Sequence, residues 1–279
     1  MLDFKIKIAD NSNIFNVIED IDTKNIRIND EDKYKSIVSS ATGIPINYIE
    51  NSRMDEFNGW HKVDDIWYRF KYVSDFSAIN EILGEYISGC FNLPTAKYYL
   101  AKNGDISGVV TPNFCSNDKS YITLKELGYK STSNFDLLDD LELDYEDVID
   151  TLKRVIVRDF YASESDRYNR NLMFEYCGDE LYLAPLYDYE LSFVNKHNYL
   201  FVGLLATFDI RDINTQDILR NDEAFMDAIN VIMDINMNRL LEKLEDEFKV
   251  LLDRDTKKFY TNHDTKIKNY IRKYNLIGD

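Results

Sequence analysis

Apolar and polar positions alternate with period two over Phe4-Lys5-Ile6-Lys7-Ile8, the pattern of a half-buried strand. A second strand is predicted over Ile66–Val73, where Trp67-Tyr68-Arg69-Phe70-Lys71-Tyr72 concentrates aromatic residues. The period then changes. Ile79, Ile82, Leu83, Tyr86, Ile87 and Cys90 recur three to four residues apart, which predicts a helix with one apolar stripe. Ser77 is the expected N-cap, and Asn92 and Pro94 end the helix. Two short strands are predicted near Ala96–Ala101 and Ile106–Thr111, with Asn103-Gly104 as the turn.

Helical periodicity dominates the rest. From Tyr145 to about Tyr161 one side carries Val148, Leu152, Val155, Ile156 and Phe160, with Lys153, Arg154 and Arg158 among the polar positions. Leu172–Tyr176 and Leu181–Ala184 predict a hairpin around Cys177-Gly178-Asp179. From Thr215 to near Leu276 the chain is predicted helical, with breaks near Asp234–Asn238 and Asp253–Asp255. Strands with one helix, followed by helices carrying one hairpin, describe an α+β, two-lobed pattern. The expected units are 1–114 and 115–279, with the seam near Pro112–Asn117.

Composition narrows the function classes. The chain has 279 residues, 44 % of them apolar and 30 % charged, as a folded globular protein does. Its formal charge of −17 opposes binding to a phosphate backbone, so nucleic acid is not expected as a partner. Cys90, Cys115 and Cys177 form no C-x-x-C pair, and His61, His197 and His263 stand singly, so neither a disulfide framework nor a zinc site is indicated. No apolar run approaches the roughly 20 residues of a membrane span. The start, Met-Leu-Asp-Phe-Lys, has no secretory apolar region. A cytoplasmic setting, without a membrane partner, is the expectation.

One constellation carries chemistry. Asn171 precedes the first strand of the predicted hairpin and Asp188 follows its second, so antiparallel pairing makes them neighbours. An amide carbonyl and a carboxylate together suit magnesium held with substrate phosphates. Asp166, on the loop entering that site, can accept or orient the proton of an attacking hydroxyl. Lys71 is the candidate cation for nucleotide phosphates. It shares a strand face with Trp67 and Arg69. Glu81 and Glu85, four apart on the following helix, offer it an ion pair.

These residues resemble the HipA-like serine/threonine kinases, a branch of the protein-kinase-like fold with phosphatidylinositol kinases as distant relatives. The matching pieces are Phe70-Lys71, Asn80-Glu81 through Leu93-Pro94, and Gly108-Val109-Val110-Thr111-Pro112-Asn113-Phe114. They continue with Asp166-Arg167-Tyr168-Asn169-Arg170-Asn171 and Ala184-Pro185-Leu186-Tyr187-Asp188, in the family's order, over roughly residues 50 to 195. The resemblance implies a strand-rich N-lobe, a mainly helical C-lobe, and an ATP- and Mg2+-dependent transfer to a Ser or Thr hydroxyl of a protein. By the kinase template Lys71 would contact the α- and β-phosphates and pair with Glu81, in preference to Glu85. Asp166 would orient the hydroxyl, Asn171 and Asp188 would bind Mg2+, and adenine would lie near Asn113 and Phe114.

The sequence also departs from the family. Tyr168 stands where the family's loop carries His, and no Gly-x-Gly-x-x-Gly occurs. Ser52 and Arg53 lie where the family places its phosphate-covering loop, and could donate N–H groups and a guanidinium to phosphates. The implied partners are a protein substrate, which includes the chain itself, and a regulatory or antitoxin-like protein. The length implies that the N-terminal subdomain of full-length toxin kinases is missing. Two alternatives stay open: a small-molecule or lipid kinase, and a pseudokinase-like nucleotide-binding scaffold. Aminoglycoside-type phosphotransferases carry His two residues before the Asp, where this chain has Glu164. The acidic run from Asp136 to Asp150 reads as a solvated face or as a surface for a basic segment.

Overall fold

The computed structural model describes residues 6–8, 15–16, 35–36, 39–40, 59–63, 66–103, 106–115, 119–128, 138, 141, 145–164, 167, 171–177, 180–194, 200–202 and 207–277. Among them are twelve strands in four small sheets and six helices longer than two turns. The largest sheet has five strands in the order β2-β5-β6-β4-β3: β2 (Phe15–Asn16), β3 (Gly59–Val63), β4 (Ile66–Tyr72), β5 (Tyr99–Asn103) and β6 (Ile106–Pro112). All pairings are antiparallel except β2 with β5. Between β4 and β5 runs α1 (Asp75–Cys90).

A three-stranded sheet joins β7 (Ser120–Thr123) to the hairpin of β8 (Met173–Cys177) and β9 (Glu180–Leu183). Helix α2 (Glu146–Ala162) precedes that hairpin. Strands β10 (Leu200–Val202) and β11 (Thr207–Asp209) pair with each other. Then come α3 (Ile213–Asn221), α4 (Glu223–Asp234), α5 (Met237–Phe248), β12 (Val250–Leu252) and α6 (Arg254–Lys273). Strand β12 pairs with β1 (Ile6–Ile8), from the other end of the sequence. No helix of the described residues is long and apolar enough to cross a membrane.

Several expectations are corrected. The cap of α1 is Ser74, whose hydroxyl accepts the Ser77 N–H at 3.2 Å; Ser77 is the capped residue. Cys90, placed on the apolar stripe, is exposed in the last turn. Ten residues of α1 are buried, including Asn80, Glu81, Gly84 and Ser88, so the helix is enclosed well beyond one stripe. Arg158, read as a polar-face residue of α2, is fully buried. The C-terminal helical stretch has an additional break at Asp222, whose carboxylate caps α4 by accepting the Phe225 N–H at 3.0 Å. Strand β12 occupies 250–252, a stretch expected to be helical, just before the expected break at Asp253–Asp255.

Burial explains why α1 matters. One continuous apolar core links Ile79, Ile82, Leu83 and Ile87 of α1 to Leu152 and Ile156 of α2, Phe174 of β8, and Leu244 and Ile267 of the last helices. A small separate cluster, Phe70, Ala101 and Val110, lies within the five-stranded sheet. Helix α1 therefore carries its polar residues into the interior by virtue of its apolar neighbours, and two of those polar residues build the site.

Candidate active site

Strand β9 leads into the segment that forms the site. The Ala184 N–H bonds the Met173 carbonyl at 2.9 Å, extending the hairpin. Leu186 is then held on both main-chain groups: its N–H donates to Pro94 O at 2.9 Å, and its carbonyl accepts the Ala96 N–H at 2.8 Å. Asp188 follows in the left-handed region at φ 62°, a conformation Asp tolerates better than most residues. Its N–H donates to the Tyr98 hydroxyl oxygen at 2.9 Å, and the Tyr189 N–H donates to Glu81 Oε2 at 2.7 Å. These contacts lock the turn at Asp188 against α1 and the chain after it.

Into this turn β4 projects Lys71. Its Nζ lies 2.9 Å from Glu81 Oε1, 2.5 Å from Asp188 Oδ1 and 2.8 Å from Glu190 Oε2. An ammonium carries three N–H donors, and here three carboxylates surround it. Burial alone would lower the Lys71 pKa, but Glu81, then Asp188 and Glu190, push it well above the ordinary value. Burial raises Glu81, with Lys71 opposing. Asp188 is held below its ordinary value despite its own burial, chiefly by Lys71, with Arg69 and Arg167 adding to the effect. Glu85 is engaged elsewhere, accepting the Tyr98 N–H at 2.8 Å.

Behind the turn is a second ionic group. Arg167 donates through Nε to Asp159 Oδ2 at 3.1 Å and through Nη1 to the Tyr187 carbonyl at 2.8 Å and the Asn171 carbonyl at 3.4 Å. One guanidinium thus ties the main chain at Asn171 to the residue before Asp188. Arg158 bonds Asp159 Oδ1 at 2.7 Å, Ser88 Oγ at 3.1 Å and the Gly84 carbonyl at 3.2 Å. The Arg158 guanidinium also stacks over the Tyr189 ring, 4.3 Å from its centroid. Gly84 is required there: a Cβ would lie 2.3 Å from Tyr189 Cγ. Glu164 accepts the Ser192 hydroxyl at 2.5 Å.

The other candidate residues fall as follows. Asn171 is buried just before β8. The Asn113 amide closes a turn on Cys115, accepting its N–H at 3.0 Å and donating to its carbonyl at 2.8 Å. The Phe114 ring packs 5.9 Å from the Tyr187 ring, next to Asp188. Asp166, Ser52, Arg53 and Tyr168 lie outside the described residues, as do Asp136, Asp139, Asp140, Glu142 and Asp144 of the acidic run that extends to Asp150.

Glu190 was not singled out in the sequence: it stands two residues from Asp188, but the left-handed turn at Asp188 breaks the alternation of an extended chain. Arg167 was visible only as the residue beside Asp166. Asp159 and Arg158 gave no signal, because adjacent opposite charges on a helix usually mark solvent.

The donor set can hold a cation. Oxygens of Glu81, Asp188 and Glu190 lie within 4.8 Å of one another, and carboxylates are the hard donors that magnesium takes. Glu81 already spends both oxygens on Lys71 and the Tyr189 N–H, which leaves Asp188 and Glu190 as the more available pair.

No family model matches the sequence, and no curated protein matches it. Solved structures do match. The proinflammatory kinase CtkA of Helicobacter pylori superimposes with a TM-score of 0.59 at 17 % identity, covering 77 % of this chain and 91 % of its own. HipA of Shewanella oneidensis MR-1, solved in a toxin–antitoxin complex with HipB and operator DNA, gives 0.51 at 14 % identity and covers 76 % of this chain. This chain spans 59 % of that HipA chain. The fold is that of the HipA-like kinases, in agreement with the motif resemblance.

Proposed function

We propose that this chain transfers the γ-phosphate of ATP to a Ser or Thr hydroxyl of a protein, using Mg2+. The observation that carries the proposal is the Lys71 ammonium, paired at once with Glu81 of α1 and with Asp188 after the hairpin. The kinase template calls for a Lys–Glu ion pair beside a metal-binding Asp, and this meeting of strand, helix and loop supports the reading with residues of those types.

In this reading Lys71 holds the α- and β-phosphates, and Glu81, buried and fixed through the Tyr189 N–H, keeps the ammonium aimed. Asp188 and Asn171 hold the magnesium ion, with Arg167 keeping their two chain segments together. The bound ion supplies neutralisation of phosphate charge. Asp166 orients the acceptor hydroxyl and takes its proton as the oxygen bonds the γ-phosphorus and the bond to ADP breaks. Ser52 and Arg53 cover the phosphates, while Asn113 and Phe114 border adenine. Residues 1–114 serve as the nucleotide side and 115–279 as the acceptor side. The acceptor is a protein, with this chain itself as one candidate. A regulatory protein partner is a further element, since the Shewanella relative is held in a complex with HipB.

The test is incubation with γ-labelled ATP and Mg2+, alongside Asp166→Ala. Label on the protein that the variant lacks supports the proposal. Thermal protection by Mg-ATP without label moves the assignment to a small-molecule kinase or a nucleotide-binding scaffold.

A further inference from the structure

We propose that Glu190 makes nucleotide binding depend on a divalent cation, selecting the magnesium complex of ATP over the metal-free nucleotide. The inference rests on the phosphotransferase reading above. The Glu190 carboxylate lies 2.8 Å from Lys71 Nζ, the ammonium that in that reading serves the phosphates. While Asp188 and Glu190 hold it, the phosphates meet three carboxylates in direct contact with one ammonium, with Arg69 and Arg167 adding positive charge that acts on Asp188. Metal-free ATP brings its whole phosphate charge to this place and is repelled. A divalent cation between carboxylates and phosphates relieves both repulsions.

The backbone of Glu190 is held in position. Its carbonyl accepts Asn80 Nδ2 at 2.9 Å, and the same amide group donates to the Ser192 carbonyl at 2.8 Å. The Tyr260 hydroxyl of α6 donates to Asn80 Oδ1 at 2.8 Å and so fixes the amide's orientation. Asn80 and Tyr260 are both fully buried. With its main chain clamped, Glu190 leaves the ammonium only by turning its side chain, and its charge stays beside the phosphates. Glu81 is occupied by orienting Lys71, and Asp188 by the metal in the proposed reading, so Glu190 is the carboxylate of the three that has no other task there.

The experiment is calorimetric titration of the full chain with ATP, in excess Mg2+ and in chelator. It compares the wild type with Glu190→Gln, Glu190→Asp and, as a remote charge control on the exposed side of α5, Glu242→Gln. The wild type is expected to prefer Mg-ATP strongly. Glu190→Gln should tighten metal-free ATP by about tenfold and shift Mg-ATP by less than about threefold. Glu190→Asp and Glu242→Gln should keep the wild-type preference. An unchanged preference in Glu190→Gln overturns the inference, and so does an equal relaxation in Glu242→Gln, which would assign the effect to overall charge. A wild type that binds ATP under neither condition removes the phosphotransferase reading, and this inference with it.

Discussion

Two ionic clusters meet at Tyr189, and they are built to opposite rules. Its N–H touches the first, through Glu81, and its ring lies under the guanidinium of Arg158 in the second. The second balances two guanidinium groups, Arg158 and Arg167, against two carboxylates, Asp159 and Glu164, all four at most 2 % exposed. The first sets one ammonium among three carboxylates, and the side chains of Lys71, Asp188 and Glu190 keep 24 %, 20 % and 32 % of their surface open. Buried charge persists only when matched, because an unmatched ion costs several kcal/mol to desolvate. The closed cluster therefore serves position, and the open one keeps a charge imbalance that a ligand can answer.

The largest expected effect comes from unbalancing the closed cluster. Asp159→Ala leaves two buried guanidinium groups facing one carboxylate and should cost about 3–5 kcal/mol of stability, read from the midpoint of urea unfolding. A loss under about 1 kcal/mol would mean that the cluster is not structural.

Acid should act next. Burial holds His263 down to about 4, from an ordinary value of 6.5, while its ring bonds the Tyr161 carbonyl at 2.7 Å. The unfolded chain binds that proton more readily, so the stability from His263 is complete above about pH 6.5 and is lost as pH falls toward about 4. The loss at most approaches about 3 kcal/mol. A His263→Phe variant, keeping the ring contact with Phe193, should flatten that part of the stability–pH curve.

Gly84→Ala links the two clusters, since its methyl would strike the Tyr189 ring. Overpacking of this kind costs about 1–3 kcal/mol. The displaced Tyr189 should also lower phosphotransfer, which labelled-ATP assays would detect.

The smallest stability effect belongs to the open cluster. Glu81→Gln removes a carboxylate from a site with too many and should change stability by less than about 1 kcal/mol. Phosphotransfer should nevertheless fall about a hundredfold, because Lys71 loses its aim. A variant that unfolds easily would place Glu81 with the structural charges instead.

The same contrast separates what the sequence disclosed from what it hid. Strand alternation and helical spacing, both local rules, offered Lys71 with Glu81 or Glu85, and only the family resemblance preferred Glu81; Asn171 and Asp188 came into view because a hairpin folds on itself. Arg158 obeyed a local rule too, lying among polar positions of an amphipathic helix, and the rule failed. Its partners Ser88 and Gly84 belong to α1, far away in sequence, and no periodicity reports them. Glu190 escaped for a related reason: Asn80, which holds its carbonyl, and Tyr260, which holds Asn80, are far away in sequence. Ser74 took the cap expected of Ser77 because α1 starts three residues earlier than that cap implies, at Asp75.

The pairing of β1 with β12 also has a consequence for synthesis. Ile6 faces Leu252, so nearly the whole sequence lies between two partners in register. A ribosome releases β1 long before β12, so the one strand waits for the other. Closing so long a loop is slow to initiate, yet each doubling of its length adds only about 0.6 kcal/mol of entropy cost. The strand pair thus acts as a late fastening, joined after the sheets and α1 between them have been translated.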